Sequence, residues 1–170
     1  MECRMAKMKT SAGLLLFRKP KNAELEILLV HPGGPYFRNK DAGAWTIPKG
    51  EAAENEDLLT RAKLEFEEEL GIPVAAAAAD SNTDWIELGQ VKQKGGKIVW
   101  GWAFAGDLPS DFKLASNTFE MEWPPRSGKV EQFPEIDQAS FFSLEVAHSK
   151  INPAQVVFLD RLREALESNR

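Results

Sequence analysis

The chain has 170 residues, 21 of them basic and 26 acidic, for a formal net charge of −5. That length suffices for one domain with no covalent staples, and the acidic balance excludes broad electrostatic capture of nucleic acid. A single cysteine, Cys3, excludes an internal disulfide, and no Cys/His cluster suggests a zinc site.

Residues 1–9 read as a flexible basic tail and residues 10–170 as one domain. The apolar run GLLLF that follows the tail is too brief for a signal-peptide core or a membrane span, so a cytoplasmic protein is expected. Residues 11–17 and 24–30 are strand-like and rich in Leu and Ile, with a Lys/Pro/Asn connection between them. His31-Pro32-Gly33-Gly34-Pro35 then breaks regular structure and leads through Tyr36 and Phe37 into the charged loop 38–41. This loop reads equally as a substrate-facing segment, with Tyr36 or Phe37 stacking on a base, and as an ordinary surface turn. Residues 45–47 form a short strand candidate ended by Pro48, with Lys49 and Gly50 next.

The stretch 50–72, GEAAENEDLLTRAKLEFEEELGI, holds the densest chemistry. At about 100° per residue, Arg61, Glu65, Glu68 and Glu69 share one sector of a helix. Leu59, Ala62, Phe66 and Leu70 form the apolar stripe beside it, Glu67 points away from both toward solvent, and Gly71 stops the helix. Acidic pairs at helical spacing each cost about 0.2–0.5 kcal/mol, so a cluster of three needs a compensating ligand or an ordinary solvated face.

In that register the stretch resembles the Nudix box, G-x5-E-x7-R-E-U-x-E-E-x-G-U, where U is a bulky apolar residue. Gly50, Glu56, Glu65, Phe66, Glu68, Glu69, Gly71 and Ile72 match it; Leu64 stands where the box has arginine. The resemblance extends over most of residues 10–145.

Farther along, residues 74–84 contain five consecutive alanines behind Pro73 and read as a connector. Residues 85–93 and 97–105 read as two strands of a hairpin turned at Gly95-Gly96. On the second, Ile98, Trp100, Trp102 and Phe104 share a face, which suits either packing under a helix or a stacking platform for a nucleobase. Residues 117–123 form a strand candidate with Glu120 and Glu122 on the face opposite Phe119, Met121 and Trp123. The loop 124–129 follows, with Arg126 and Lys129 suited to phosphate recognition or to plain solvation, and Glu131 and Glu135 come just after. Residues 138–142 are a last strand, Ser143 caps a short helix on which His148 is expected to be solvated, and Asn152-Pro153 opens an amphipathic terminal helix.

This order of elements predicts a mixed sheet covered on both faces, and the resemblance implies the same α/β/α sandwich. It implies a hydrolase that uses Mg²⁺ or Mn²⁺ to cleave a pyrophosphate linkage in a nucleoside diphosphate linked to another moiety. Hard cations take oxygen ligands and neutralise phosphate oxygens, which clustered glutamates equip a protein to exploit. Glu65, Glu68 and Glu69 carry over as catalytic metal ligands, joined by the Gly50 backbone carbonyl. Glu56 takes a supporting role, and Glu120, Glu122 or Glu131 is a candidate carboxylate outside the box. Lys49, Tyr36, Arg126 and Lys129 are candidate substrate contacts. The Pro48-Lys49-Gly50 opening resembles members acting on dinucleoside polyphosphates or diphosphoinositol phosphates, and nucleoside triphosphates are the other leading substrate class. Arg61, four residues before Glu65, is the expected substitute for the missing box arginine. Leu64 leaves a second reading, a nucleotide-binding or regulatory module without turnover. An isoprenoid-diphosphate isomerase would need an acid/base partner that Cys3, in the tail, does not offer. The expected partner is a small phosphorylated ligand, with no membrane and no stable nucleic-acid contact.

Overall fold

Consecutive apolar side chains in a strand can all be buried only where both faces of the sheet are covered. The computed structural model, which describes residues 8–21 and 23–169, has this arrangement. Strand β1 (Thr10–Arg18) runs parallel to β5 (Ile98–Ala105) and antiparallel to β2 (Glu26–Pro32). With β4 (Ile86–Lys92) and β8 (Ile136–Ser143) the sheet order is β4-β5-β1-β2-β8, and the short β3 (Lys49–Glu51) pairs with β1. A separate two-stranded sheet joins β6 (Thr118–Glu122) to β7 (Val130–Pro134).

Helix α1 (Leu58–Leu70) covers one face, where Ala62, Phe66 and Leu70 meet Ala12, Leu14, Leu16, Leu28 and Val30. The other face lies under α3 (Leu144–Lys150) and α4 (Val156–Ser168), with Phe158, Leu159 and Leu162 against Leu15, Phe17, Ile27 and Leu29. Alternation along β1 thus feeds two cores from one strand. The mixed sheet with helices on both faces is the layered architecture expected from the order of elements. Phe104 is fully buried and meets Phe66 edge-on at 5.5 Å, with Trp102 packed against the same core, so these two aromatics pack under α1 and do not form a nucleobase platform.

Several local expectations need correction. Residues 45–47 make only isolated bridges, Val30 to Thr46 and Trp45 to Ile151, and the strand lies at Lys49–Glu51. The alanine run contains one helical turn, α2 (Val74–Ala77), because Glu67 bends back to accept the Val74 N–H at 3.0 Å; Glu67 is therefore a cap and not a solvent-facing charge. Strand β7 has no counterpart among the sequence expectations, since VEQFP buries only Phe133. His148 is bonded to the Leu144 carbonyl and to Asp160, each at 2.8 Å. Cys3 and the first seven residues of the expected tail lie outside the described residues.

Candidate functional site

The box loop and the box helix meet at a glycine. A side chain at Gly50 would coincide with the Glu65 carboxylate, so only a residue without Cβ lets that carboxylate reach the loop backbone. One turn on, Glu69 accepts the Lys49 N–H at 3.2 Å. Two buried glutamates, 9% and 7% exposed, therefore hold the edge of β3, while Glu68 between them is exposed. Asp57 caps the helix by accepting from Thr60 N–H at 3.0 Å, and Gly71, at φ 80°, closes it.

Arg61 supplies the cation. Its Nε and Nη2 bond the two oxygens of Glu56 at 2.7 Å each, and its Nη1 donates to Glu65 at 3.2 Å. A bidentate guanidinium fixes both position and rotation of a carboxylate, so Arg61 locks Glu56 and steers Glu65 together. Leu64 is 40% exposed. Arg61 draws the Glu56 carboxyl below its ordinary range, chiefly through that hydrogen bond.

The remaining carboxylates are strained electrostatically. Burial pushes Glu69 up to about 8, opposed by Lys49 and reinforced by the charges of Glu65 and Glu135. Burial, then Glu68, raises Glu65 against the pull of Arg61. Glu135, at the junction of β7 and β8, is raised by burial and then by Glu68. Glu135 is a carboxylate outside the box whose charge reaches Glu65 and Glu69, and no local sequence pattern marks it. Its position is set by backbone bonds, Gly33 N–H to the Glu135 carbonyl and Glu135 N–H to the Asn117 carbonyl, both at 2.8 Å, while Asn117 N–H bonds the Glu68 carbonyl at 3.1 Å.

Of the other candidates, all but Lys49 lie elsewhere. Glu120 accepts from Gln132 on the exposed hairpin, Glu122 is paired with Val130, and Glu131 with Met121. Arg126, at φ 61°, and Lys129 sit in the exposed β6–β7 turn and form no ion pair among the described residues. Tyr36 is 59% exposed and meets Trp123 edge-on at 5.6 Å, which joins the 36–41 loop to that hairpin. Lys49 is half-buried beside the glutamates.

Among the described residues no three His, Cys, Asp or Glu side chains converge into a ready metal cage. Glu65 is turned to Arg61 and Glu69 to the Lys49 N–H. The donor chemistry nonetheless suits a hard divalent cation: carboxylate oxygens, raised by burial and mutual repulsion, face a glycine cradle that a Cβ would fill.

No protein-family model and no curated protein matches the chain. Among solved structures, a C. elegans Ap4A hydrolase in a binary complex superposes with a TM-score of 0.62 at 22% identity, covering 95% of this chain and 99% of that one. A mutT/nudix family protein from Listeria innocua gives 0.61 at 17%, covering 97% and 98%. The C-terminal domain of mouse MUTYH, seen in a complex with human PCNA, gives 0.57 at 14%, covering 95% and 91%. A fold found in such different settings leaves the chemistry to be argued from side chains. The chain has the α/β Nudix fold, a mixed sheet between helices, shared with proteins described as Nudix hydrolases.

Proposed function

We propose that the protein is a Nudix hydrolase that cleaves a pyrophosphate linkage in a nucleotide with the help of Mg²⁺ or Mn²⁺. The observation that carries this reading is the meeting of the box helix with the glycine loop, where the Glu65 carboxylate fills the space beside Gly50 and Glu69 accepts the Lys49 N–H, with Glu65, Glu69 and Glu135 all raised, chiefly by burial. Glu65, Glu68 and Glu69, with the Gly50 carbonyl, would hold the cation, and Glu135 adjoins them. The cation, when bound, neutralises phosphate oxygens and makes water a better nucleophile near neutral pH.

The chain's own residues do the rest. Arg61 and Glu56 keep the Glu65 carboxylate at the loop. The Glu135 carboxylate, with no side-chain hydrogen bond among the described residues, is free to take the proton of the attacking water. The water oxygen then bonds to phosphorus, and the bridging oxygen leaves with its phosphate. Substrates of the dinucleoside polyphosphate or nucleoside triphosphate class are favoured; the structurally similar C. elegans protein is described as an Ap4A hydrolase. Leu64 alone favours a binding module without turnover, and the bidentate Arg61 weakens that reading.

Incubation with Mg²⁺ and a panel of dinucleoside polyphosphates, nucleoside triphosphates, nucleotide sugars and ADP-ribose, with product analysis, tests the proposal. The Glu68→Gln/Glu69→Gln double variant is expected to lose at least about 100-fold in turnover. Full activity in that variant would refute the site, and a wild type that binds nucleotide without turnover would favour the binding module.

A further inference from the structure

On the face of the sheet that α3 and α4 cover, the edge strand β8 presents Gln138, Ser140 and Phe142 in alternation, opposite His31, Leu29 and Ile27 of β2. Past the end of β2 the chain loops outward through residues 38–41 and returns at Trp45, which bridges to Ile151. Between this loop and β8 lies a cavity of about 500 Å³, with the buried His31 and Trp45 at its base. Sites for small ligands span about 300–1,000 Å³, so the space is adequate for one. The cavity opens on the face away from α1, and none of its lining residues belongs to the box loop or the box helix.

The loop is pinned over the cavity from two sides. His31 bonds Asp137 through Nδ1 at 2.7 Å and the Lys40 carbonyl through Nε2 at 2.6 Å, which ties the loop to β8. Asp41 accepts the Trp45 indole N–H at 2.8 Å and pairs with Lys150 of α3. The N–H groups of Gly43 and Trp45 donate to the carbonyls of Ser149 and Lys150, at 3.2 and 3.0 Å. These bonds engage Asp41 and Asp137, the two carboxylates that line the cavity, and leave its other polar side chains free. Among the described residues the Arg38 guanidinium has no ion pair or hydrogen bond, and the Lys40 ammonium meets only the Phe37 ring, 5.4 Å away. The Gln138 amide and the Ser140 hydroxyl are likewise without a hydrogen bond among those residues. The cavity therefore offers donors and two uncompensated cations, on a chain whose net charge is −5.

We infer that this cavity binds a small phosphate monoester, its phosphate held by Arg38 and Lys40 and its organic part seated against Gln138 and Ser140. A guanidinium matches two phosphate oxygens at once and an ammonium acts as a point charge, so the pair suits a dianion. A carboxylate, with a single charge, leaves one of the two cations uncompensated. Inorganic phosphate alone fills a small part of about 500 Å³, so the phosphate carries an organic group. An amide and a hydroxyl each donate and accept, which suits a group rich in hydroxyls or ring nitrogens. Because the loop backbone is pinned before the ligand arrives, binding orders little beyond the Arg38 and Lys40 side chains. Nucleoside monophosphates and sugar phosphates both answer this description. The site is independent of the hydrolase reading and stands or falls without it.

Calorimetry of the full chain in EDTA, titrated with adenosine monophosphate, glucose-6-phosphate and inorganic phosphate, tests the site with no divalent cation contributing. At least one monoester is expected to bind more tightly than inorganic phosphate, and the tighter of the two identifies the source. Arg38→Gln and Lys40→Gln should each weaken that binding about tenfold or more, the loss of one charge-assisted contact. Both positions are exposed, so these variants should keep the wild-type thermal midpoint. Ser140→Trp fills the cavity and leaves both cations in place, so it should abolish binding, whereas a surface that attracts phosphate by charge alone would keep it. Gln138→Trp replaces Ser140→Trp should the latter not fold. Three results overturn the site: no binding by wild type at millimolar ligand, equal binding of the monoesters and inorganic phosphate, or unchanged binding by the Arg38→Gln/Lys40→Gln double variant. Binding that Glu68→Gln abolishes and Arg38→Gln does not would place the ligand at the box and overturn it as well.

Discussion

Lys49 and Gly50 are neighbours in a three-residue strand, yet they serve opposite electrostatic environments. Gly50 turns to α1, where carboxylates crowd so closely that a methyl group has no room. Lys49 turns to the α4 side, where a second lysine repels it. The alternation of a strand, which sends successive side chains to opposite faces, separates the two by a single residue. Neither environment is at rest alone, since like charges gathered at low dielectric raise the energy of the empty protein. The site's chemistry thus follows from strand geometry as much as from the box sequence.

The largest expected effect comes from filling the one gap that separates the two sides. Gly50→Ala forces the Glu65 carboxylate off the loop. Misplacing a catalytic group by about 1 Å costs about 100-fold in rate, and overpacking destabilises by about 1–3 kcal/mol. Turnover and thermal midpoint of this variant measure the two together. Wild-type values for both would mean that Glu65 and Gly50 do not touch.

The acidic side also has a pH signature. The Glu69 carboxyl ionises near 4.5 in the unfolded chain and is pushed up to about 8 in the fold. Between those values the folded state holds a proton that the unfolded state has released, so the contribution of Glu69 to stability is greatest below about 4.5 and is lost as pH rises to about 8. Glu69→Gln removes that titration. In metal-free buffer its thermal midpoint should match wild type near pH 5 and exceed it near pH 8, by roughly 4–8 °C for an effect of about 2 kcal/mol. Melts across that range decide it, and a constant difference would place the Glu69 charge in water.

How much of this was legible in the sequence depends on whether a feature is local. The helix was legible residue by residue: Ala62, Phe66 and Leu70 inward, Glu65, Glu68 and Glu69 in one sector, and Gly71 at the stop. The β4–β5 hairpin and the Ser143 cap were legible for the same reason, since each is fixed by a few adjacent residues. Glu135 was not, because its place depends on backbone bonds to Gly33 and Asn117, far away in the chain. β7 was hidden by its polarity, as a ribbon strand with one buried residue gives no clear period-two signal.

The smallest effect concerns the arginine that the box lacks. Arg61 bonds both Glu56 oxygens and reaches Glu65, one turn of helix before it. Arg61→Ala leaves Glu56 without its partner and Glu65 without its guide, so kcat and metal affinity should fall about tenfold, the worth of one charge-assisted bond. The converse variant is sharper. Leu64 is already 40% exposed, so Leu64→Arg introduces a cation without opening a cavity. With Arg61 in place, Leu64→Arg should change activity by less than about twofold, because the carboxylates it could pair are already engaged. In the Arg61→Ala background the same substitution should recover most of the loss. Activation of the wild type by Leu64→Arg alone would mean that Arg61 steers Glu65 incompletely and that the acidic side lacks a cation it needs.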